Sequence, residues 1–288
     1  MVTFIATPIG NLADITLRAL DTLRAADVIF CEDTRHSLKL LNHYGIKKPL
    51  VACHKFNERA AAQKLVSLAR EGKSVAVVTD AGTPVISDPG NLLVQALREA
   101  GVPYTLAPGA CAFVAALVLS GLPADTFAFV GFLRGKKSEK RALLQRYAEF
   151  AGTLLFYSAP QDVDDDLALL LEAYGDRPAC AVREITKVHE SVQHFSLAEG
   201  LAGEKRGEYV LLVGGAAARE NPLNSLTPAE HVAHYMAQGM PRKEALKRAA
   251  KERGVSKSEL YKLTLDAGAA EEAGEDAAEE DEGAGGEA

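Results

Sequence analysis

The stretch VAVVTDAGTPVISDPG, residues 75–90 of this 288-residue chain, decides the fold class. Its first four residues are apolar and predict a buried strand, and the loop that follows is rich in Gly, Pro, Asp and Thr. Small loop residues let the backbone approach a ligand closely, while Asp80 and Thr83 have side chains that can orient it by hydrogen bonds. A strand that runs into such a loop is typical of an open α/β sheet, which binds ligands at the carboxyl ends of its strands.

The flanking sequence repeats this alternation of strand and helix, which predicts a mainly parallel sheet covered by helices. We predict strands at residues 2–7, 27–32, 50–53, 74–79 and 103–106. We predict helices at residues 15–25, 35–44, 58–71, 91–100 and 112–119, with Gly45 and Gly101 as left-handed caps of the second and fourth. Two more loops of small residues, TPIGN at 7–11 and APGACA at 107–112, follow the first and last strands. Three such loops at corresponding strand ends are expected to form one cleft.

A second α/β segment follows a junction at Gly121-Leu122-Pro123. Its predicted strands are residues 126–131, 153–157, 179–184, 188–195 and 208–213, and its predicted helices are residues 136–150 and 162–173. Because several of these strands follow one another without a helix between them, we expect a mixed or partly antiparallel sheet. The predicted first domain is therefore residues 1–120 and the second is residues 121–220.

The C-terminal end has a different character. Thr227-Pro228 predicts a helix start, and PRKEALKRAAKERGVSKSELYKL, residues 241–263, predicts a helix, a Gly254 cap, a Ser256 N-cap and a second helix. This is the shape of a helix-turn-helix, a pattern of low specificity, and we expect a helical appendage at residues 221–266. Residues 267–288 contain only Ala, Gly, Glu and Asp, so we expect a disordered tail whose deletion leaves activity within a few-fold.

The net charge of −7 comes from that tail, which has nine of the 39 acidic residues and no basic one. The rest of the chain carries 32 basic and 30 acidic side chains. Basic stretches at residues 134–146 and 240–262 suggest a polyanionic partner, although each run taken alone is equally well explained as a solvated helix face.

Other sequence features exclude several classes of protein. No apolar stretch is long enough to cross a bilayer and no signal-peptide pattern is present, so we expect a soluble cytoplasmic protein. Cys31, Cys53, Cys111 and Cys180 lie far apart without CxxC spacing, which predicts reduced core thiols and no metal site. No GxGxG follows the first strand and no P-loop pattern occurs, which disfavours dinucleotide and Rossmann-type methyltransferase sites.

Six blocks in order, TPIGNLAD, EDTRHS, DAGTPVISDPG, PGA, SGLP and REITK, resemble the signature blocks of the tetrapyrrole-methylase superfamily. More narrowly, they resemble its branch that methylates the 2′-hydroxyl of cytidine 1402 in 16S ribosomal RNA. The resemblance covers residues 1–215. It implies two α/β domains, S-adenosylmethionine in the cleft between them, a homodimer, and 16S ribosomal RNA or the small ribosomal subunit as substrate.

The resemblance also implies which residues contact the cofactor. They are Pro8, Asp80, Ala81, Gly82, Thr83, Ile86, Ala110, Cys111, Phe156 and Tyr157. The chain departs from the family pattern at residues 156–162, where FYSAPQD replaces the usual FYESPHR, and at Glu190-Ser191, where paired glutamates are usual. Contacts from Ser158, Gln161 and Asp162 are therefore not carried over.

Transfer of a methyl group from a sulfonium to a ribose hydroxyl needs positioning and a base for the hydroxyl proton. The candidate bases are Glu32, Asp33, His54 and Glu58. A structural role explains Glu32 and Asp33 equally well, because carboxylates stabilise the N-terminus of a helix. A structural role in a loop is favoured for His54. Candidate phosphate-binding residues are Arg35, Lys136, Lys137, Arg141, Arg183, Lys187, Arg242, Lys243 and Lys247.

Two alternatives remain open at this point. One is a methylase of a tetrapyrrole ring, because the same loops serve either substrate, although EDTRHS and the basic helices favour RNA. The other is a non-catalytic RNA-binding factor that acts in ribosome assembly. Binding of S-adenosylmethionine distinguishes the two, because an enzyme must bind the cofactor.

Overall fold

The computed structural model describes residues 1–217 and 222–264, and the chain divides after Ala216 into two units, each described by itself. The first unit contains two five-stranded sheets. Residues 218–221 and 265–288, which include the predicted tail, lie outside the described residues.

The first sheet is entirely parallel, as the strand–helix alternation predicts. Its strands lie in the spatial order β3-β2-β4-β1-β5. They are β1 (Val2–Ile5), β2 (Val28–Cys31), β3 (Leu50–Ala52), β4 (Val75–Val77) and β5 (Tyr104–Ala107). The helices between them are α1 (Leu17–Ala25), α2 (Thr34–His43), α3 (Glu58–Arg70) and α4 (Asn91–Glu99), and a 3-10 turn occupies Leu12–Asp14.

Alternate residues of these strands pack on opposite faces of the sheet. Phe30 of β2 lies in a cluster with Leu65 of α3, while its neighbour Ile29 packs with Leu23 of α1 on the other face. All four side chains are at most 1% exposed, and burial of each contributes about 1.5–3 kcal/mol. The sheet is therefore covered on both faces, which leaves the loops at its carboxyl edge available for function.

Local capping explains where the helices begin and end. The Thr16 hydroxyl accepts a hydrogen bond from the Ala19 N–H, which starts α1 two residues later than predicted. Gly45 and Gly101 both have φ of +65°, and the predicted left-handed caps of α2 and α4 are confirmed.

The second sheet is mixed, as predicted. β6 pairs parallel with β7, and the remaining neighbours in the order β6-β7-β10-β8-β9 are antiparallel. The strands are β6 (Phe127–Phe132), β7 (Thr153–Ser158), β8 (Pro178–Arg183), β9 (Ser191–Ser196) and β10 (Tyr209–Val213). The helices of this part of the chain are α5 (Ala112–Ser120), α6 (Lys137–Gln145) and α7 (Val163–Tyr174).

Helix α5 joins the two sheets. Although it follows directly from β5, its buried residues Ala116 and Leu117 pack on the second sheet against Leu155, Val182 and Leu212. The opposite face of that sheet is covered by α6 and α7. The chain that leaves the first sheet thus forms part of the core of the second.

Two predicted boundaries in this region were wrong. β9 begins at Ser191 rather than at residue 188, because residues 184–190 form a turn in which the Glu190 carboxylate accepts a hydrogen bond from the Thr186 N–H. The basic helix predicted at 136–150 ends at Gln145 and continues as turns.

The described part of the second unit is helical. It contains α8 (Pro228–Ala237), α9 (Arg242–Glu252) and a further helical segment at residues 257–264. The predicted N-caps are confirmed, since Thr227 forms a capping box with Glu230 and the Ser256 hydroxyl accepts from the Glu259 N–H. No helix within residues 1–217 and 222–264 is both long and apolar enough to cross a membrane.

Candidate functional site

The three predicted loops meet at the carboxyl edge of the first sheet. Thr7 and Gly82 exchange two backbone hydrogen bonds of 2.9 and 3.0 Å, which join the first loop to the second. The Thr83 hydroxyl donates to the Ala110 carbonyl at 3.1 Å and so joins the second loop to the third. Gly82 has φ of +79°, a conformation that side-chain-bearing residues rarely adopt.

The three loops form one wall of a cleft of about 540 Å³, and the second sheet forms the opposite wall. Seven of the predicted cofactor-binding residues line this cleft: Asp80, Ala81, Gly82, Thr83, Ile86, Cys111 and Tyr157. Pro8, Ala110 and Phe156 do not, and Ile9 takes the place of its neighbour Pro8.

The Phe156 side chain does not face the cleft. Its side chain is 1% exposed and lies in the core beneath α6 and α7, because it points to the opposite face of β7 from Tyr157. Tyr157 faces the cleft, where its hydroxyl accepts a hydrogen bond from the Phe113 N–H at 3.3 Å. Burial raises the pKa of Tyr157, which keeps the phenol neutral.

Three carboxylates, from Glu32, Asp80 and Asp88, line the same part of the cleft. The Thr79 hydroxyl donates to Glu32 Oε2 at 3.1 Å, and Asp80 Oδ1 accepts from the Asp33 N–H at 3.1 Å. Burial raises the pKa of Glu32, and burial together with the charge of Glu32 raises the pKa of Asp88 to about 6. Carboxylates with raised pKa values are better proton acceptors near neutral pH than exposed ones.

Asp33 has a structural role. Its carboxylate caps α2 by accepting from the Arg35 N–H at 2.8 Å, and it pairs with the Arg35 guanidinium at 2.7 Å. Hydrogen bonds from Arg35 lower the pKa of Asp33 to about 2, which makes it a weak base, and the residue does not line the cleft. The geometry therefore separates Asp33 from its neighbour Glu32.

Glu58 is also held by backbone groups. Its Oε1 accepts hydrogen bonds from the N–H groups of Gly90 and Leu92, both at 2.8 Å, at the start of α4. The carboxylate thus joins α3 to the end of the DAGTPVISDPG loop. His54 does not line the cleft, and its buried Nδ1 has no hydrogen-bond partner within the part of the chain that the structure describes.

The loops around the cleft contain strained backbone. Val85, Ser87, Glu184 and Thr186 have positive φ, between 52° and 77°, and two of the four are β-branched residues that rarely adopt it. A Cβ on Gly10 would lie 2.5 Å from Lys187 Cγ, so the first loop packs closely against the REITK turn. Strain of this kind is concentrated at binding sites.

The predicted phosphate-binding residues of the first unit occupy different environments. Lys187 lines the cleft but is paired with Glu184 at 2.8 Å and Glu208 at 2.9 Å. Arg183 donates to the His189 carbonyl at 3.3 Å. Arg35 is exposed and paired with Asp33, as described above.

On α6 and α9 most of the predicted cations are open to solvent. Lys136 and Lys137 at the start of α6 are exposed, whereas Arg141 forms a bidentate ion pair with Glu172 at 2.7 and 2.9 Å. In the second unit, the exposed cations are Arg242, Lys243 and Lys247. Arg141 is therefore less available to a polyanion than its neighbours.

The FYSAPQD segment retains part of the expected wall. Ser158, Ala159 and Pro160 line the cleft, and the Ser158 hydroxyl donates to the buried Asp166 at 2.8 Å. Sequence reasoning missed Asp88 as a site residue, although it lies within the DAGTPVISDPG motif. The available signal was a carboxylate at the end of a loop of small residues.

Comparison with known proteins identifies the family of this chain. A family model described as Tetrapyrrole (Corrin/Porphyrin) Methylases matches residues 1–200. The chain belongs to the tetrapyrrole methylase family. This tetrapyrrole methylase is accordingly an enzyme that transfers methyl groups.

Two relatives of this tetrapyrrole methylase share the name Ribosomal RNA small subunit methyltransferase I. The protein of Halalkalibacterium halodurans is 41% identical over 268 residues, covering 90% of this chain and 92% of that protein. The protein of Pseudomonas aeruginosa is also 41% identical, covering 91% and 95%. Among solved structures, uroporphyrin-III-C-methyltransferase from Thermus thermophilus is similar, with a TM-score of 0.52, 26% identity, and coverage of 74% of this chain and 94% of that one.

Proposed function

We propose that this protein is an S-adenosylmethionine-dependent methyltransferase that modifies the ribose 2′-hydroxyl of cytidine 1402 in 16S ribosomal RNA. Relatives that are 41% identical over about nine-tenths of the chain carry a ribosomal RNA methyltransferase name, which supports the RNA over the tetrapyrrole substrate. The observation that carries the proposal is the cleft formed by three hydrogen-bonded loops and closed by the second sheet.

The lining of the cleft fits this cofactor. Its volume lies within the range of about 300–1,000 Å³ that small-ligand sites occupy. Ala81 and Gly82 allow close approach of the backbone, while Asp80 and Thr83 supply polar atoms that can hold the amino acid or ribose groups of the ligand. Residues 1–120 and 121–220 serve in this proposal as the two domains that enclose it.

When bound, S-adenosylmethionine supplies a methyl group on a positively charged sulfur. The residues of the cleft would orient this donor toward the acceptor oxygen and exclude water from the space between them. Positioning of this kind lowers a barrier by about 7–11 kcal/mol when the geometry is good. No metal is required for this reaction.

Glu32 is the proposed proton acceptor. It lines the cleft, its pKa is raised, and its Oε2 is oriented by the Thr79 hydroxyl at 3.1 Å. Its second carboxylate oxygen accepts the 2′-hydroxyl proton as the oxygen–carbon bond forms. Asp88 lies on the same wall, where burial together with the charge of Glu32 raises its pKa to about 6.

Exposed cations on each unit, taken separately, supply the phosphate contacts in this proposal. Lys136 and Lys137 on the first unit, and the exposed cations of α9 on the second, contact phosphates and so provide affinity without base identity. Such a substrate also places the enzyme in the cytoplasm, where ribosomal subunits are assembled.

A homodimer is part of the proposal. Val114, Val118 and Leu119 on α5 are 47%, 77% and 40% exposed, and Leu106 on the edge strand β5 is 42% exposed. Exposed apolar side chains grouped on adjacent elements mark protein interfaces, and a second copy of the chain can cover them. Sedimentation of the purified protein tests this part, with a dimer expected.

The methylation proposal is tested with small ribosomal subunits from a strain that lacks the gene. The purified protein and S-adenosylmethionine should produce 2′-O-methylcytidine in the 16S ribosomal RNA, at position 1402, as read by nucleoside mass spectrometry and primer extension. Calorimetry should show binding of one S-adenosylmethionine per chain. No heat of binding, or a methyl group on a base instead of the ribose, would contradict the proposal.

A further inference from the structure

A second cavity, of about 600 Å³, opens beside the cleft. The two cavities share Glu32, Ser87, Asp88 and Phe132, so the carboxylates form a common wall between them. The remaining walls of the second cavity come from the loop after β3, the end of the DAGTPVISDPG loop and the end of β6. These lining residues are Lys55, Glu58, Pro89, Val130, Gly131 and Arg134.

A β-bulge between Phe129 and Gly131 shapes one side of this cavity. Gly131 has φ of +80°, and a Cβ there would lie 3.2 Å from the Ser87 hydroxyl, so β6 closely approaches the loop at this point. Bulges redirect the side chains that follow them. Phe132 lies next along the strand, 39% exposed, on the wall that both cavities share.

The loop after β3 is held in a defined turn. The Asn57 side chain accepts from the His54 N–H at 2.8 Å and donates to the Ala52 carbonyl at 3.0 Å. The two residues inside this turn, Lys55 and Phe56, are both exposed, Phe56 to 93%. The Phe56 ring meets that of His54 edge to face, with centroids 6.2 Å apart, but most of its surface is free to stack on a ligand.

The cations of this cavity are available for a ligand. Within the described ranges, neither Lys55 nor Arg134 forms an ion pair within 4.0 Å. The Arg134 guanidinium lies 5.3 Å from the centre of the Phe132 ring. An aromatic face beside unpaired cations is the combination that binds single-stranded nucleic acid, in which bases stack on rings and phosphates pair with Lys or Arg.

We propose that the second cavity holds the acceptor nucleotide in a single-stranded conformation. This inference rests on the proposed function. The acceptor base stacks on Phe132, the flanking phosphates contact Lys55 and Arg134, and a neighbouring base stacks on Phe56. The ribose then lies against the shared wall, with its 2′-hydroxyl at Glu32 and facing the methyl donor in the cleft. A base within an A-form duplex is inaccessible to such contacts, so the nucleotide must be unpaired when it enters.

The charge part of this proposal is tested with the double variant Lys55→Ala/Arg134→Ala. The matched control is Lys64→Ala/Arg98→Ala, which removes two exposed cations from α3 and α4 outside both cavities. The assay is single-turnover methylation of small subunits from the gene-deleted strain, over a range of subunit and salt concentrations. S-adenosylmethionine affinity is measured by calorimetry.

We expect the double variant to reach its half-maximal methylation rate at a subunit concentration about tenfold or more above that of wild type. The slope of log affinity for the subunit against log salt concentration should become shallower by about 0.7 for each phosphate contact that is lost. The affinity for S-adenosylmethionine should stay within twofold of wild type. A variant that keeps the wild-type half-saturation and salt slope, as the control should, would overturn the assignment. If wild-type protein leaves the subunits unmethylated, the proposed function itself fails, which is a distinguishable result.

Stacking of a neighbouring base on Phe56 is tested separately with Phe56→Leu. Phe56 lines neither cavity, so this substitution leaves the walls of both unchanged. Loss of a stacked base should raise the half-saturating subunit concentration about fivefold or more and leave the salt slope unchanged. Leu17→Ala, which removes a side chain that is 81% exposed on α1, is the control for loss of exposed apolar surface. Equal behaviour of Phe56→Leu and the control would remove Phe56 from the site.

Discussion

The Thr79 hydroxyl donates a hydrogen bond of 3.1 Å to Glu32 Oε2, joining the chain after β4 to the chain after β2. This contact orients one carboxylate on the wall between the two cavities, whereas the next residue, Asp33, turns away to cap α2. Two adjacent acidic residues thus have different roles.

Amide substitutions should separate Glu32 from Asp33. Glu32→Gln should lower the single-turnover methylation rate about 100-fold or more, because the amide cannot accept the hydroxyl proton. Asp33→Asn should stay within about threefold of wild type, because Asn caps helices as well as Asp does. Both should bind S-adenosylmethionine with near wild-type affinity in calorimetry. Equal losses in the two variants would contradict the assignment of the base.

The pH dependence of stability should reveal Asp88. Because its pKa in the folded protein is raised from 3.8 to about 6, its contribution to stability is present below pH 4 and is lost as the pH rises through 6. Asp88→Asn should therefore raise the Tm relative to wild type at pH 7.5, and the gain should shrink by pH 4.5.

The matched control for this measurement is Asp125→Asn, which removes an exposed carboxylate on the same unit. Thermal unfolding followed by circular dichroism at the two pH values measures the difference. A Tm gain for Asp88→Asn that is the same at both pH values would show that ionisation of Asp88 is not its cause.

Glu58 should act through stability. Glu58→Ala removes the acceptor for the Gly90 and Leu92 N–H groups and the negative charge at the start of α4, which should cost about 1–3 kcal/mol of unfolding free energy. Glu58→Gln keeps an oxygen at the same place and should recover a large part of the loss. Urea unfolding measures both, and a Gln variant as unstable as the Ala variant would contradict this account of the contact.

A bulky residue at position 81 should block the cleft without unfolding the protein. Ala81 lines the cleft and is exposed, so Ala81→Phe places a ring in the cofactor space and not in the core. We expect calorimetry to show about 100-fold weaker binding of S-adenosylmethionine, with a Tm close to wild type. Ala60→Phe on the exposed side of α3 is the control and should bind normally.

The sequence predicts the fold well where a local pattern determines it. The apolar run before Asp80 and the caps at Thr227 and Ser256 depend on neighbouring residues only, and the structure confirms them. The later start of β9 was not predictable in this way. It depends on a hydrogen bond between the Thr186 N–H and the Glu190 carboxylate in a strained turn.

The site was predictable in outline but not in its detail. Strand order brings the three small-residue loops together, and parallel strands place them at one edge. Glu32 faces the cleft, whereas the Glu58 carboxylate binds backbone N–H groups. Each arrangement depends on a contact between residues that lie 32 to 47 positions apart in the sequence. Phe156 illustrates the same limit, since the motif names it but the alternation of β7 turns its ring into the core.

The most direct test of the central claim is nucleoside mass spectrometry of 16S ribosomal RNA from cells that lack the gene. The 2′-O-methyl group of cytidine 1402 should be absent from these cells. A plasmid that encodes the wild-type protein should restore it, and one that encodes Glu32→Gln or Ala81→Phe should not. Retention of that methyl group in cells without the gene would contradict the proposed function.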